Sequence, residues 1–118
     1  MSFQFIESDN RPWGRYFVLH DEPNYKVKRI EVEPNQRLSY QYHFKRAEAW
    51  TIVQGEATVT LDGVDKVFTV GETAIIPLSA KHRVANMGTE LLIFIEVQTG
   101  DYFGEDDIVR IEDDYSRK

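Results

Sequence analysis

The sequence contains no cysteine, and that absence excludes several kinds of structure and chemistry. Without cysteine there can be no disulfide, no thiolate metal site and no cysteine nucleophile. No apolar run approaches the ~20 residues that a membrane-spanning helix requires. The N-terminal MSFQFIESDN also lacks the basic segment and apolar run of a signal peptide. We therefore predict a soluble, cytoplasmic protein.

Basic residues are in the minority. The 118 residues carry 20 acidic and 14 basic side chains, which gives a formal net charge of -6. Nucleic-acid binding usually requires a net basic surface, so we predict no nucleic-acid partner and, without an apolar span, no membrane partner. Local basic patches, YKVKR and HFKR, can still hold an anionic small molecule. The length favours a single domain over residues 1–118.

Helical periodicity is missing, whereas short runs rich in valine, isoleucine, threonine and aromatics recur along the chain. The runs are RYFVLH, YKVKRIEV, RLSYQYH, AWTIVQG, EATVTLDG, DKVFTV, TAIIPL, HRVANMG and LLIFIEVQTG. Turn formers separate them, and this pattern favours a β-sandwich or barrel. We expect Gly55 to fold EATVTL back as a hairpin partner of the preceding run. After Gly100 we expect a short helix or strand that packs back onto the sheet.

The run RLSYQYH places hydrogen-bonding side chains on one face. Strand alternation puts Gln41 and His43 on the same side, and Glu48 follows at the start of the next run. His82 lies in a separate stretch, GETAIIPLSAKHRVAN, with its own glycine and proline. An isolated Q-x-H is most simply two solvent-exposed residues, and His82 alone a turn residue. The combination calls for another explanation.

These two stretches resemble the paired motifs of the cupin superfamily. The first motif is a glycine, five residues, H-x-H, three or four residues, a glutamate, six residues and a glycine. Asn35 and Gln41 stand where its first glycine and first histidine are expected, whereas His43, Glu48 and Gly55 match. In the second motif a glycine, a proline, a histidine and an asparagine are in register, and a serine replaces the middle glycine. These are Gly71, Pro77, His82, Asn86 and Ser79. The resemblance implies a double-stranded β-helix, or jelly-roll barrel.

The resemblance extends to one cupin family, the type II mannose-6-phosphate isomerase domain, from Arg11 to Arg117. It is carried by RPWGRY, YKVKRIEVEPNQRLSYQYHFKRAEAW, IPLSAKHRVAN, IEVQTGDYFGEDDIVR and DDYSR. That domain usually forms the C-terminal part of a bifunctional enzyme with mannose-1-phosphate guanylyltransferase activity, and no glycine-rich nucleotide loop occurs here. The implied activity is metal-dependent interconversion of mannose 6-phosphate and fructose 6-phosphate. Relatives often have histidine where Lys45 and Ala49 stand.

The family resemblance implies one divalent metal ion. Its ligands are expected to be Gln41 and His43 from one strand, Glu48 from the neighbouring strand and His82 from a distant one. Two imidazoles, one carboxylate and one amide oxygen leave a divalent cation net positive, and therefore a Lewis acid. Such a cation stabilises the charge that develops when a proton is removed beside a carbonyl. Zinc fits this ligand set, and manganese, iron, cobalt or nickel would also fit.

Basic residues are candidates for the substrate phosphate and for proton transfer. Lys28 and Arg46 are our first choices for substrate binding, although any such residue can equally be a solvated surface charge. The resemblance implies that Arg110 reaches the pocket as a catalytic residue and steadies the phosphate or the enediolate. The catalytic base could be a metal-bound hydroxide or a basic side chain, and Lys45 is our candidate for the latter. The acidic stretch before Arg110, Glu105–Asp107, is most simply a solvated turn.

Two other functions remain open, and so does the oligomeric state. A cupin can bind a sugar or sugar nucleotide without isomerising it, and the same ligands can serve another metal-cupin enzyme such as a dioxygenase. We also predict a homodimer, because twofold pairing is the commonest way to cover apolar sheet surface. The aromatic segment FQFIES could pair with a neighbour's sheet edge.

Overall fold

The computed structural model describes residues 3–114, and it builds them from two antiparallel sheets. The strands are β1 (Glu7–Arg11), β2 (Gly14–Asp21), β3 (Tyr25–Val32), β4 (Tyr40–His43), β5 (Arg46–Gln54), β6 (Ala57–Leu61), β7 (Val64–Phe68), β8 (Thr73–Ile76), β9 (His82–Ala85), β10 (Leu92–Gly100) and β11 (Ile108–Glu112). One turn of 3₁₀-helix, Glu105–Asp107, precedes β11. The predicted all-β fold is confirmed. Within the described range, no helix is long and apolar enough to cross a bilayer, and the cytoplasmic location stays a prediction.

The chain crosses repeatedly between the two sheets. The six-stranded sheet has the order β1-β2-β3-β10-β5-β8, and the five-stranded sheet has the order β11-β4-β9-β6-β7. The expected hairpin around Gly55 was wrong, because β5 pairs with β10 and β8 while β6 pairs with β7 and β9. Gly55, with φ 81°, instead turns the chain from one sheet into the other.

The apolar core lies between the sheets, where every second side chain of the facing strands meets. Its fully buried members include Val32, Ile52, Val84, Leu92 and Phe94. Burying a side chain of this size contributes roughly 1.5–3 kcal/mol. Trp13, in the RPWG bend, is 5% exposed and packs into the same core, as a structural role for that segment predicts.

The barrel interior changes from apolar to polar along three adjacent strands. On β10 the inward positions run from Leu92 and Phe94 to Glu96 and Gln98, all buried. Glu96 lies opposite Lys28 of β3, and Gln98 lies opposite Glu48 of β5. The hydrogen-bonding side chains are therefore collected at one end of the barrel.

Both departures from the cupin glycines fall on left-handed backbone. Asn35 has φ 65° and Ser79 has φ 64°. Glycine adopts this conformation at no steric cost, and asparagine is the side chain that tolerates it best. The substitutions therefore keep the turns that the motif glycines would make.

The segment after Gly100 packs back onto the fold, as expected. Its strand, β11, pairs with β4 and places Arg110 opposite Gln41. The end of the DDYSR segment, residues 115–117, lies outside the described residues.

Candidate metal centre

Three predicted ligands converge in the polar half of the barrel. His43, Glu48 and His82 place one ligand atom each within 4.8 Å of the others, and their exposures are 2%, 3% and 1%. The expected strand relations are reversed. His82 lies on β9, which is hydrogen-bonded to β4, whereas Glu48 lies on β5 in the opposite sheet. The candidate site thus lies between the two sheets and takes ligands from both.

The tautomers of the two histidines suit metal binding. His82 Nδ1 lies 2.9 Å from the carbonyl oxygen of Ala80. A carbonyl only accepts, so Nδ1 carries the proton and the lone pair is on Nε2, which is buried without a partner. His43 Nε2 lies 3.3 Å from Arg46 Nη2, and a guanidinium only donates, so its lone pair is also on Nε2. This donor set fits a divalent cation with nitrogen and oxygen ligands.

Both imidazoles are held in the neutral form that ligates metals. Burial lowers the pKa of His43 from 6.5 to about 3, and the Arg46 guanidinium adds to this effect. Burial is also the main cause that lowers the pKa of His82. A metal ion therefore need not displace a proton from either ring at neutral pH.

Glu48 is oriented through both of its oxygens. Arg46 Nε donates to Oε2 at 2.9 Å, and Trp50 Nε1 donates to Oε1 at 2.9 Å. The same Oε2 lies 3.3 Å from His43 Nε2. The carboxylate is therefore fixed beside the imidazole with which it would share a cation.

Gln41, the predicted fourth ligand, lies next to this group. It precedes His43 by two residues on β4, lies opposite His82 across the strand pair and lines, together with Glu48, a cavity beside this group. Its part in holding a metal ion stays a prediction.

Three predicted cationic residues meet at this cavity. Lys28, Arg46 and Arg110 line it, and they come from β3, β5 and β11. Lys28 is 7% exposed, with Nζ 4.6 Å from the centre of the Tyr16 ring. Arg110 has a buried Nε without a hydrogen-bond partner. The cavity thus brings several positive charges next to Glu48 of the candidate metal centre.

Lys45 and the acidic turn do not lie where the sequence analysis expected them. Lys45 is exposed, its Nζ lies 5.0 Å from the centre of the Tyr102 ring, and it does not line the cavity. The solvated-turn interpretation of Glu105–Asp107 was wrong for Asp107. That residue is 9% exposed, and its carboxylate accepts the backbone N–H groups of Phe44, at 3.3 Å, and Lys45, at 2.9 Å.

The sequence analysis missed several polar residues in the cavity, and Glu96 and Gln98 are the two that bond to one another. The Glu96 carboxylate accepts from Trp50 Nε1 at 3.1 Å and from Gln98 Nε2 at 3.0 Å. Burial, followed by the charge of Glu48, raises the pKa of Glu96 to about 7. The available signal was the alternation in LLIFIEVQTG, because polar residues at the inward positions of an apolar strand indicate a polar cavity.

The sequence pattern of one family covers almost the whole chain. The family described as mannose-6-phosphate isomerase C-terminal matches residues 3–113. The chain belongs to this family. The mannose-1-phosphate guanylyltransferase of Salmonella montevideo is 47% identical over 107 residues, which cover 91% of this chain and 23% of that protein. The chain therefore spans about a quarter of the length of that curated relative.

Solved structures agree with the family at the level of the fold. A conserved Klebsiella pneumoniae protein with a double-stranded β-helix domain has a TM-score of 0.72 and 24% identity, covering 80% of this chain and 76% of its own. The cupin domain of Schizosaccharomyces pombe Cnp3 has a TM-score of 0.71 and 17% identity, covering 74% and 64%. The predicted cupin-type double-stranded β-helix is confirmed.

Proposed function

We propose that this mannose-6-phosphate isomerase-type cupin is a metal-dependent isomerase that interconverts mannose 6-phosphate and fructose 6-phosphate. The observation that carries the proposal is that cationic side chains line one cavity together with Gln41 and Glu48, and that Glu48 belongs to a buried group with His43 and His82. An aldose–ketose isomerase requires both features, since its substrate has a carbonyl at one end and a phosphate at the other. A purely structural role does not explain why these groups are buried together.

The candidate ligands fit zinc best. His43, Glu48 and His82 would hold the ion, with Gln41 as the proposed fourth ligand. When bound, it would act as a Lewis acid toward the sugar carbonyl. Arg46 and Trp50 keep Glu48 in place.

The phosphate is assigned to the cationic side of the cavity. Lys28 and Arg110 reach it from strands on opposite sheets, so they can hold a dianion between them. Arg46 is already bonded to Glu48 and, through Nη1, to the carbonyl oxygen of Phe103 at 3.3 Å. Its contribution to substrate binding is therefore combined with its role in orienting Glu48.

Proton transfer between C1 and C2 requires a base, and Lys45 remains our proposed residue. To reach the cavity its ammonium must leave the ring of Tyr102. A cation–π contact at an exposed site contributes only about 0.5–1 kcal/mol, so this movement costs little.

The proposal is tested by coupled turnover with mannose 6-phosphate, with and without a chelator. We expect turnover that the chelator abolishes and that added metal restores. Metal-loaded protein that binds the sugar phosphate without turnover or solvent hydrogen exchange would instead be a sugar-binding cupin.

We also propose a homodimer formed through the outer face of the six-stranded sheet. The N-terminal segment, which we expected to pair with a neighbour, packs on the sheet of its own chain. The ring centres of Phe3 and Phe5 lie 5.0 and 5.1 Å from the ring centre of Phe17. The outward-facing positions of β5, β8 and β10, which the N-terminal segment leaves uncovered, carry no ionisable side chain. They are Ala47, Ala49, Thr51, Val53, Thr73, Ile75, Ile95, Val97 and Thr99.

Two copies with a net charge of -6 each would repel one another at most surfaces, but not at this one. Light scattering should give a dimer mass for the wild type and a monomer mass for Ile75→Glu. A monomeric wild type at high concentration would refute this proposal.

A further inference from the structure

Four buried polar atoms in the described part of the chain lack a hydrogen-bond partner. They are His43 Nδ1, His82 Nε2, Gln98 Oε1 and Arg110 Nε. Two belong to the candidate metal ligands. The other two, one acceptor and one donor, belong to side chains that line the cavity beside Gln41 and Glu48. Buried polar groups in folded proteins are nearly always paired, so these two atoms point to a ligand that supplies a donor and an acceptor.

The orientation of Gln98 follows from its neighbours. Its Nε2 donates to Glu96 Oε2 at 3.0 Å, and Trp50 Nε1 donates to the other oxygen of Glu96 at 3.1 Å. When Glu96 is ionised both of its oxygens accept these bonds, so the amide nitrogen of Gln98 faces Glu96 and its oxygen is left over. Gln98 is 1% exposed and lies opposite Glu48 on the neighbouring strand. The unused acceptor is therefore beside the candidate metal centre, where bulk water cannot satisfy it.

We propose that Gln98 is a specificity-determining residue that accepts a hydrogen bond from a hydroxyl of the bound sugar phosphate. Arg110 Nε, the unpaired donor, takes the anionic end together with Lys28. This inference rests on the substrate class of the proposed function, and it adds a recognition contact that no motif indicates. A site with a dedicated acceptor for a hydroxyl discriminates strongly against analogues that lack it, because the acceptor is then left unpaired.

The decisive variant is Gln98→Met, which keeps the length of the side chain and removes both the acceptor and the Nε2 donor to Glu96. The protein as purified, with its metal, is titrated calorimetrically with mannose 6-phosphate and with inorganic phosphate. We expect the Kd for mannose 6-phosphate to rise about tenfold to a hundredfold, as for a lost buried hydrogen bond, while the Kd for phosphate and the metal content stay unchanged. The matched control Gln54→Met alters an exposed amide that bonds only the Leu91 carbonyl, and it should change neither constant.

A series of monodeoxy mannose 6-phosphates separates recognition from a structural effect. The analogue that lacks the recognised hydroxyl should bind the wild type about as weakly as Gln98→Met binds the parent sugar. The same analogue should bind Gln98→Met with nearly the affinity that it has for the wild type. Equal weakening of phosphate and sugar phosphate in Gln98→Met would overturn the assignment, because that result indicates general damage to the cavity.

Two outcomes distinguish this inference from the proposed function. If mannose 6-phosphate binds through Gln98 but is not turned over, the proposed isomerase activity is refuted and the Gln98 contact is supported. If Gln98→Met turns over mannose 6-phosphate with an unchanged KM, the Gln98 contact is refuted and the isomerase activity is not. Should the variant not fold, the deoxy series on the wild type still decides, since equal affinity for every analogue refutes a hydroxyl acceptor.

Discussion

Replacing Glu96 by glutamine should make the metal-free protein more sensitive to acid. The reason begins with His43, whose pKa falls from 6.5 in the unfolded chain to about 3 in the fold. Its folded-state pKa is depressed, so the unfolded chain takes up a proton below pH 6.5 that the folded protein refuses. Stability is therefore lost as the pH falls, by about 1.4 kcal/mol per pH unit. His82, whose pKa is also lowered, adds a slope of the same sign.

Glu96 opposes this loss. Its pKa rises from 4.5 to about 7, so between these values the folded protein holds a proton that the unfolded chain releases. The stability associated with Glu96 is present below pH 4.5 and is lost as the pH rises through 7. On acidification from pH 6.5 to 4.5, the stability gained by protonating Glu96 therefore offsets the stability lost through about one histidine. The wild type is left with the loss that His82 adds, which has the same sign as that of His43.

The isosteric Glu96→Gln removes the offset and leaves both histidines unopposed. Between pH 6.5 and 5 its stability should fall by about 2 kcal/mol more than that of the wild type, which is one group at ~1.4 kcal/mol per pH unit. Urea denaturation with a chelator present measures this, followed by the fluorescence of the buried Trp13 and Trp50. The exposed Glu56→Gln is the control and should follow the wild type. Parallel curves for wild type and Glu96→Gln would refute the reasoning.

The strands were largely predictable, because apolar alternation is a local property of the sequence. The exception is β1, ESDNR, which has no apolar face and lies exposed at the edge of the six-stranded sheet. Its place depends on pairing with β2 and not on its own composition. Which strands pair was less predictable. The hairpin expected at Gly55 does not form, because this fold sends consecutive strands to opposite sheets and pairs β5 with the distant β10.

The candidate site was predictable where a motif fixed the spacing of its residues. His43, Glu48 and His82 were found in this way, and Lys28, Arg46 and Arg110 followed from the family resemblance. Lys45 shows the limit of this reasoning. It lies in the turn between β4 and β5, where alternation no longer determines direction, and its side chain extends toward Tyr102.

Glu96 and Gln98 show a second limit. They belong to no motif that we recognised, and only the register of β10 against β3 and β5 places them beside Lys28 and Glu48. Two polar residues within an apolar strand suggest a cavity but do not say which groups share it. The hydrogen bonds that orient Gln98 join side chains on two strands, and such contacts follow from the assembled sheet.

Three further predictions concern the metal ion, the substrate and the base. His82→Ala should reduce the metal content from about one equivalent to almost none by elemental analysis, whereas the exposed His20→Ala should retain it. Lys28→Met should raise the KM for mannose 6-phosphate about tenfold to a hundredfold, with little change in kcat, because a charge-assisted bond to the phosphate is lost. Lys45→Ala should keep its metal yet lose a factor of about 10²–10⁴ in turnover, as is usual when a general base is removed. Lys45→Arg should not restore turnover, because a guanidinium cannot give up its proton near neutral pH. The exposed Lys66→Ala serves as the control for loss of a surface charge. Unchanged turnover in Lys45→Ala would exclude this lysine as the base and leave proton transfer to a group inside the cavity.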